Sequence, residues 1–133
     1  AVIVDADGTL SAGEKAAVPT PKKIIGTLPP ASAARLFPAG GTLVIAEGIE
    51  TALSASQRFG VPVWSCVSAG GLEKWLPPEG TSRVFVFGDN DLSGTGQAAA
   101  WILAKRLIAA GITVEVRIPE TPGHDWNDER GMK

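Results

Sequence analysis

Acidic side chains follow three short apolar runs of this 133-residue chain. They form the blocks Glu47-Gly48-Ile49-Glu50, Asp89-Asn90-Asp91 and Asp125-Trp126-Asn127-Asp128. If the runs before the first two blocks are neighbouring parallel strands, Glu47, Asp89 and Asp91 face one small volume at the carboxyl edge of a sheet. Carboxylates at such short range repel one another, and a divalent cation that prefers oxygen ligands relieves the repulsion.

The residue types narrow the choice of metal. The chain has one histidine, His124, and one cysteine, Cys66, so an oxygen-rich ligand set favours Mg²⁺ or Mn²⁺ over zinc or iron. Magnesium usually keeps waters and binds through one or two carboxylates plus the phosphates of a substrate. The pattern therefore predicts a phosphate-bearing ligand, with phosphoryl transfer as the leading chemistry.

The elements that must position these blocks alternate between strand and helix after Gly41. Apolar runs predict buried strands at 42–46, 61–67, 83–88 and 112–118. Helical spacing of apolar residues predicts a helix from Ile49 to Phe59 and a shorter helix over 68–75. A further helix has a predicted apolar stripe of Ala100, Leu103, Ala104 and Leu107. This alternation is typical of an α/β fold with a parallel sheet.

The residues before this pattern have a different amino-acid composition. Residues 1–41 are rich in Pro, Gly and Ala, and prolines from Pro19 to Pro38 prevent long helices there. We expect an N-terminal extension over 1–41, made of a strand and turn followed by a Pro-rich loop. One globular domain is predicted over 42–133.

Composition excludes several classes of protein. A net charge of -2 excludes the overall basicity of a histone-like protein that coats nucleic acid. A single cysteine cannot form an internal disulfide and suits a reducing compartment. The longest apolar run, 98–104, is far below the ~18 residues that span a bilayer. We expect a soluble, cytoplasmic protein with no membrane partner.

The acidic blocks and their flanks resemble a known family. The stretches Val44–Leu53, Phe85–Gly94 and Gly123–Asp128 look like the TOPRIM domain of phage- and plasmid-type DNA primases or primase-helicases. The blocks occur in the family's order, and the resemblance covers roughly residues 21–133. It implies a TOPRIM-like (Rossmann-like) four-stranded parallel sheet with helices on both faces. It also implies a DNA primase-type nucleotidyltransferase.

The resemblance also implies roles for the acidic residues. Glu47 matches the residue proposed as general acid/base in nucleotidyl transfer, and Asp89 and Asp91 match a metal-binding pair. Asp125 and Asp128 match a looser downstream acidic motif that helps to bind metal or nucleotide, and Glu47 itself is a further candidate metal ligand. The chain departs from bacterial-type primases at Thr51, where those enzymes tend to have an aspartate.

Further residues are candidate contacts to nucleotide or DNA. Lys22 and Lys23 are either a solvated pair or contacts to phosphates of the nucleotide or template. Gly48 leaves room for a phosphate or metal near the backbone. Ser93 and Gly94 open a helix whose N–H groups could meet a phosphate, although a close approach of chains at a sharp helix start is the simpler interpretation.

The tryptophans are predicted to be core or lid residues. They are Trp64, Trp75, Trp101 and Trp126. Trp126 lies inside an acidic block, so stacking on a base is a second interpretation for that residue.

These observations predict primer synthesis on single-stranded DNA from nucleoside triphosphates, with Mg²⁺ or Mn²⁺ as cofactor. The chain has no zinc-ribbon spacing and no Walker motif. We therefore expect it to be a fragment, with template selection and a replicative helicase or helicase domain lying outside it.

Three other interpretations of the function stay open. Val2–Leu10 resembles the opening motif of haloacid-dehalogenase-type phosphatases, in which Asp5 would be the nucleophile and Asp7 the general acid. A hairpin turn is the simpler interpretation, because Asp-Gly is a strong turn dipeptide and Pro19 interrupts the helix that should follow. A TOPRIM domain can also be a nuclease-like module or a non-catalytic module that binds metal or nucleotide.

Overall fold

The computed structural model describes residues 2–4, 10–12, 27–126 and 128 of the chain. Its elements in chain order are β1 (Val2–Val4), β2 (Leu10–Ala12), β3 (Thr42–Ala46), α1 (Ile49–Phe59), β4 (Val63–Ser65), α2 (Ala69–Lys74), β5 (Arg83–Phe87), α3 (Thr95–Ala109) and β6 (Thr113–Arg117). Strands β3 to β6 form a four-stranded parallel sheet in the order β4-β3-β5-β6. The predicted α/β architecture is confirmed.

The register of the sheet brings the ends of its strands to one edge. Ala46, the last residue of β3, pairs with Phe87 of β5 and with Ser65 of β4. Phe87 in turn pairs with Arg117, the last residue of β6. The residues that follow each strand therefore start from the same carboxyl edge, where ligands bind in open α/β sheets.

Helices cover both faces of the sheet, as the family resemblance implies. Val44 and Ala46 point to one face and pack in a cluster with Ala52 and Ala55 of α1. Leu43 and Ile45 point to the other face and pack against α2 and α3. Both faces of β3 are buried because side chains alternate along a strand, which is why its sequence is an unbroken apolar run.

The predicted stripe of α3 faces the core. Its members, Ala100, Leu103, Ala104 and Leu107, are all buried. Trp101 lies beside this stripe with 59% of its surface exposed, so a core position is wrong for this tryptophan, while a lid position stays a prediction. A residue one position from a buried stripe is rotated by about a quarter turn and faces solvent. Trp64, Trp75 and Trp126 are buried as predicted.

Strand β4 is shorter than its apolar run. The prediction extended over 61–67, but the strand occupies Val63–Ser65. Val67 has a φ of 71°, in the left-handed region that a β-branched residue rarely adopts. Its N–H donates to Ser65 Oγ at 3.1 Å, which accounts for the turn that ends the strand.

The N-terminal strands pair with each other. Val2 pairs with Ala12 in the antiparallel pair of β1 and β2, as expected for a hairpin, while the turn and the acids Asp5 and Asp7 lie outside the described residues. Among the described strands, β1 pairs with β2 and not with the sheet that carries Asp89. The phosphatase interpretation needs Asp5 at the end of a strand in that sheet, and this pairing does not supply it.

Part of the predicted extension attaches to the edge of the sheet. Ala34 forms an antiparallel bridge with Ser65, and Phe37 O accepts a hydrogen bond from Trp64 Nε1 at 2.7 Å. The division at residues 41 and 42 stays a prediction. In the part of the chain that the structure describes, no helix has the length and apolar character needed to cross a membrane.

Candidate functional site

Glu47 and Asp89 start from neighbouring positions on the carboxyl edge of the sheet. Glu47 follows the last residue of β3, and Asp89 follows β5 after a single glycine, Gly88. The sequence interpretation depended on these two strands being neighbours, and the pairing of β3 with β5 confirms it. Both side chains are partly buried, and the Oε2 atom of Glu47 is shielded from solvent.

Asp89 is the electrostatic centre of the site. Its pKa is raised from 3.8 to about 7, first by burial and then by the negative charges of Glu47, Asp125 and Asp91. Thr51 opposes this rise, because its Oγ1 donates a hydrogen bond to Asp89 Oδ1 at 3.3 Å. Asp89 therefore keeps its proton to a higher pH than an exposed aspartate does.

Thr51 is a site residue whose contact the sequence interpretation missed. It appeared there as a departure from the family pattern, four positions after Glu47 on the first turn of α1. The structure shows why a hydroxyl fits this position. Thr51 is buried and binds Asp89 as a donor, whereas an aspartate would add another negative charge to a crowded set of carboxylates.

Asp91 is held by the start of α3. Its Oδ1 accepts a hydrogen bond from Ser93 Oγ at 3.1 Å, and its Oδ2 accepts one from the Gly96 N–H at 3.0 Å. Gly94, which precedes the helix, has a φ of 76°, so the predicted sharp helix start is confirmed. Ser93 contacts Asp91 in this arrangement, and its contact to a phosphate stays a prediction. The carboxylate supplies the negative charge that a helix N-terminus favours.

Gly96 is required by the close approach of α3 to Asp89. A Cβ atom at this position would lie 2.8 Å from Asp89 O and 3.2 Å from both Asp89 Cβ and Asp91 Oδ2. The predicted close approach of chains at the glycine-containing stretch is therefore present, and the chain it approaches is the acidic loop itself.

Gly96→Ala is expected to destabilise the fold by about 1–3 kcal/mol, because the added methyl overlaps a backbone oxygen that cannot move without shifting Asp89. Gly70→Ala is the matched control, since a Cβ there meets no atom within 4 Å. That change in α2 should be neutral or stabilise by up to about 1 kcal/mol. Urea unfolding of both variants measures the difference. Equal effects of the two alanines would contradict the proposed overlap.

The downstream acidic block forms a tight turn. Asp128 Oδ2 accepts a hydrogen bond from the Asp125 N–H at 3.0 Å, and Asp125 Oδ1 accepts one from the Asp128 N–H at 2.9 Å. Asp125 lies near enough to Asp89 for its charge to raise the pKa of Asp89. The Asp128 side chain is exposed and binds the turn, so the two acids of this block have different surroundings.

The contacts of these acidic side chains determine which of them could bind a divalent ion. Among the residues that the structure describes, no three His, Cys, Asp or Glu side chains are grouped so as to hold one metal ion. Glu47 and Asp89 remain a pair at adjacent strand ends, which suits Mg²⁺ because this ion takes one or two carboxylates and completes its shell with water and substrate phosphates. The larger ligand set with Asp91, Asp125 and Asp128 stays a prediction.

Three of the remaining candidates, two lysines and a glycine, stay predictions. Lys22 and Lys23 lie outside the described residues. Gly48 has a φ of -92°, and a Cβ there would meet Glu50 Oε2 and Thr51 Oγ1 only at 3.8 Å, an ordinary contact. Packing therefore does not require glycine at position 48.

Comparison with known proteins agrees with the fold. The family model described as Toprim domain matches residues 42–133. A crystal structure of a DNA primase domain from Pseudomonas aeruginosa is similar at 15% sequence identity with a TM-score of 0.48, covering 68% of this chain and 29% of that one. The chain thus spans less than a third of that structure's length, and no curated protein matches it. Because the family model spans the whole parallel sheet and all three acidic blocks, the chain belongs to the Toprim domain family.

Proposed function

We propose that this chain is the nucleotidyl-transfer module of a DNA primase or primase-helicase. It acts on nucleoside triphosphates and a single-stranded DNA template, and works with a replicative helicase or helicase domain outside the chain. Its membership of the Toprim family and the resemblance of its three acidic blocks to phage- and plasmid-type primases support this function. The main structural support for this function is that Glu47 and Asp89 follow adjacent strands of the sheet, with Asp125 close to Asp89.

The proposed chemistry needs a cation at the carboxylates. Bound Mg²⁺ or Mn²⁺ supplies positive charge that orients a triphosphate and offsets charge developing during transfer. Glu47 and Asp89 would hold it. Thr51 keeps the Asp89 carboxylate oriented through its hydrogen bond, and Asp91 attaches the acidic loop to the start of α3.

Glu47 has an alternative role to metal binding, as the general base. Its carboxylate would accept the proton of the primer 3′-hydroxyl as that oxygen bonds to the α-phosphorus of the incoming nucleotide, while the bond from the α-phosphorus to the bridging oxygen breaks and pyrophosphate leaves. A carboxylate suits this step because its oxygens can accept a proton, and Glu47 directly follows β3 at the carboxyl edge of the sheet. Positioned general bases of this kind contribute about 10²- to 10⁴-fold to a rate.

This function is tested by measuring metal binding to the chain with calorimetry at pH 7. Mn²⁺ is expected to bind and to release protons, because the raised pKa of Asp89 leaves its carboxyl partly protonated near neutral pH and a ligating carboxylate must be ionised. Titrations in two buffers of different ionisation enthalpy measure that proton release.

Asp89→Asn should weaken Mn²⁺ binding and abolish the proton release. Glu79→Gln is the control, since Glu79 is exposed and precedes β5, at the opposite edge of the sheet. In the natural protein that carries the chain, Asp89→Asn should also abolish primer synthesis, while Glu79→Gln should not. Identical Mn²⁺ uptake by wild type and Asp89→Asn, together with normal primer synthesis, would contradict the proposed site.

A further inference from the structure

Asn90, the middle residue of the Asp-Asn-Asp block, joins three segments of the chain. Its backbone N–H donates to His124 O at 2.9 Å, and its backbone oxygen accepts from the Gly123 N–H. Its side-chain Nδ2 donates to Pro119 O at 2.7 Å, and its Oδ1 accepts from Gln97 Nε2 at 2.7 Å. Asn90 therefore connects the acidic loop after β5 both to α3 and to the segment that carries Asp125.

That segment is attached to the end of β5 on both sides of Asp125. His124 O, immediately before it, accepts the hydrogen bond from Asn90. Trp126, immediately after it, donates from Nε1 to Gly88 O at 3.1 Å and packs on Phe87 with ring centroids 5.1 Å apart. Asp125 is thus held between two attachment points, one at Gly88 immediately before Asp89 and one at Asn90 immediately after it.

We propose that Asn90 is a positioning residue that holds Asp125 beside Asp89 and so makes Asp125 part of the metal and nucleotide site. The importance of that site rests on the proposed function. The contacts also explain why the residue is an asparagine. One side chain must donate to the Pro119 carbonyl and accept from Gln97, and an amide does both, whereas a carboxylate cannot donate.

The experiment is a double-mutant cycle on Mn²⁺ affinity, measured by calorimetry on the whole chain. In the wild-type background, Asp125→Asn is expected to weaken Mn²⁺ binding by about 10-fold, a typical loss when a group supporting a metal site is removed. In the Asn90→Ala background, the same Asp125→Asn change should weaken Mn²⁺ binding by clearly less than about 10-fold, because the side-chain bond to Pro119 that steadies the segment is lost, although the backbone bonds to Gly123 and His124 remain.

Gln97→Ala is the matched control background. It removes the hydrogen bonds that Gln97 donates from α3 to Asn90 Oδ1 and to Asp91 O, but leaves the bonds from Asn90 to Pro119 and His124 intact. Asp125→Asn should therefore weaken Mn²⁺ binding by about 10-fold there, as in wild type. An undiminished effect of Asp125→Asn in the Asn90→Ala background would overturn the proposal.

A second readout needs no metal. Amide hydrogen exchange at Gly123, whose N–H donates to the Asn90 carbonyl, should be at least about 10-fold faster in Asn90→Ala than in wild type and unchanged in Gln97→Ala. Asn90→Asp is the alternative variant if the alanine does not fold. It keeps the acceptor for Gln97 and opposes the Pro119 carbonyl, so it should accelerate exchange at the same amide.

The two readouts separate failure of this proposal from failure of the proposed function. If wild type binds no Mn²⁺, the metal site and the proposed function fail, while faster exchange in the Asn90 variants still supports Asn90 as the residue that holds the segment. Wild-type exchange at Gly123 in a folded Asn90→Ala or Asn90→Asp protein would overturn the positioning role, whatever the metal affinity.

Discussion

Asp89→Asn is expected to stabilise the metal-free protein at neutral pH and to remove a large part of the pH dependence of its stability. The pKa of Asp89 is about 7 in the folded protein, against an ordinary value of 3.8. Between these values the folded state binds a proton that the unfolded state has lost, so the contribution of Asp89 to stability falls as the pH rises. Below about pH 4 and above about pH 7, this contribution no longer changes.

The size of the effect follows from the width of that window. A pKa difference of about 3 units corresponds to up to ~4 kcal/mol, with a slope of up to ~1.4 kcal/mol per pH unit inside the window. Asparagine carries no charge, and its side-chain oxygen can still accept the hydrogen bond from Thr51. The variant therefore avoids the cost of ionising a buried carboxyl group beside Glu47 and Asp125.

Urea unfolding in chelator from pH 4 to pH 8 measures this effect. The unfolding free energy of Asp89→Asn minus that of wild type should be small at pH 4 and should increase up to about pH 7. Glu79→Gln, at an exposed position, should give a profile parallel to wild type. A difference between Asp89→Asn and wild type that stays constant over this range would show that Asp89 ionises normally in the folded state.

Glu47→Gln is expected to lower nucleotidyl transfer in the natural protein by about 10²- to 10⁴-fold, the range for loss of a general base. The same change should leave the metal-free protein as stable as wild type or more stable. The expected stability has an electrostatic cause, since the charge of Glu47 raises the pKa of Asp89 more than any other neighbouring charge does. A glutamate that merely favoured the N-terminus of α1 would behave differently, because its loss should cost a few tenths to ~1 kcal/mol.

Two measurements distinguish these roles of Glu47. Thermal unfolding in chelator reports its effect on stability, and primer synthesis by the natural protein reports its part in the reaction. Glu79→Gln is the control for both, because it makes the same chemical change at the other edge of the sheet. Near-normal primer synthesis by a folded Glu47→Gln protein would remove Glu47 from the proposed mechanism.

The sequence by itself determined the elements and the edge at which the acids gather. The strand predicted over 42–46 has those bounds, and the helix predicted from Ile49 to Phe59 has those bounds too. Both patterns are local. A run of β-branched and aliphatic residues fits a strand buried on two faces, and apolar residues at helical spacing fit a helix with one buried side. The positions of the first two acidic blocks followed from these elements, because Glu47 comes directly after β3 and Asp89 comes one residue after β5.

Only the tertiary structure decided which way the side chains at that edge are directed. Asp91 binds the start of α3 through the Gly96 N–H, Thr51 reaches Asp89 from the first turn of α1, and Asn90 binds a segment about 30 residues further along the chain. Hydrogen bonds depend on the distance and angle between individual atoms, and these are set by the packing of helices against the sheet. The spacing of residues along a chain carries no such information. The sequence therefore brought the carboxylates to one edge, while the packing determined which of them bind the backbone and which remain beside Asp89.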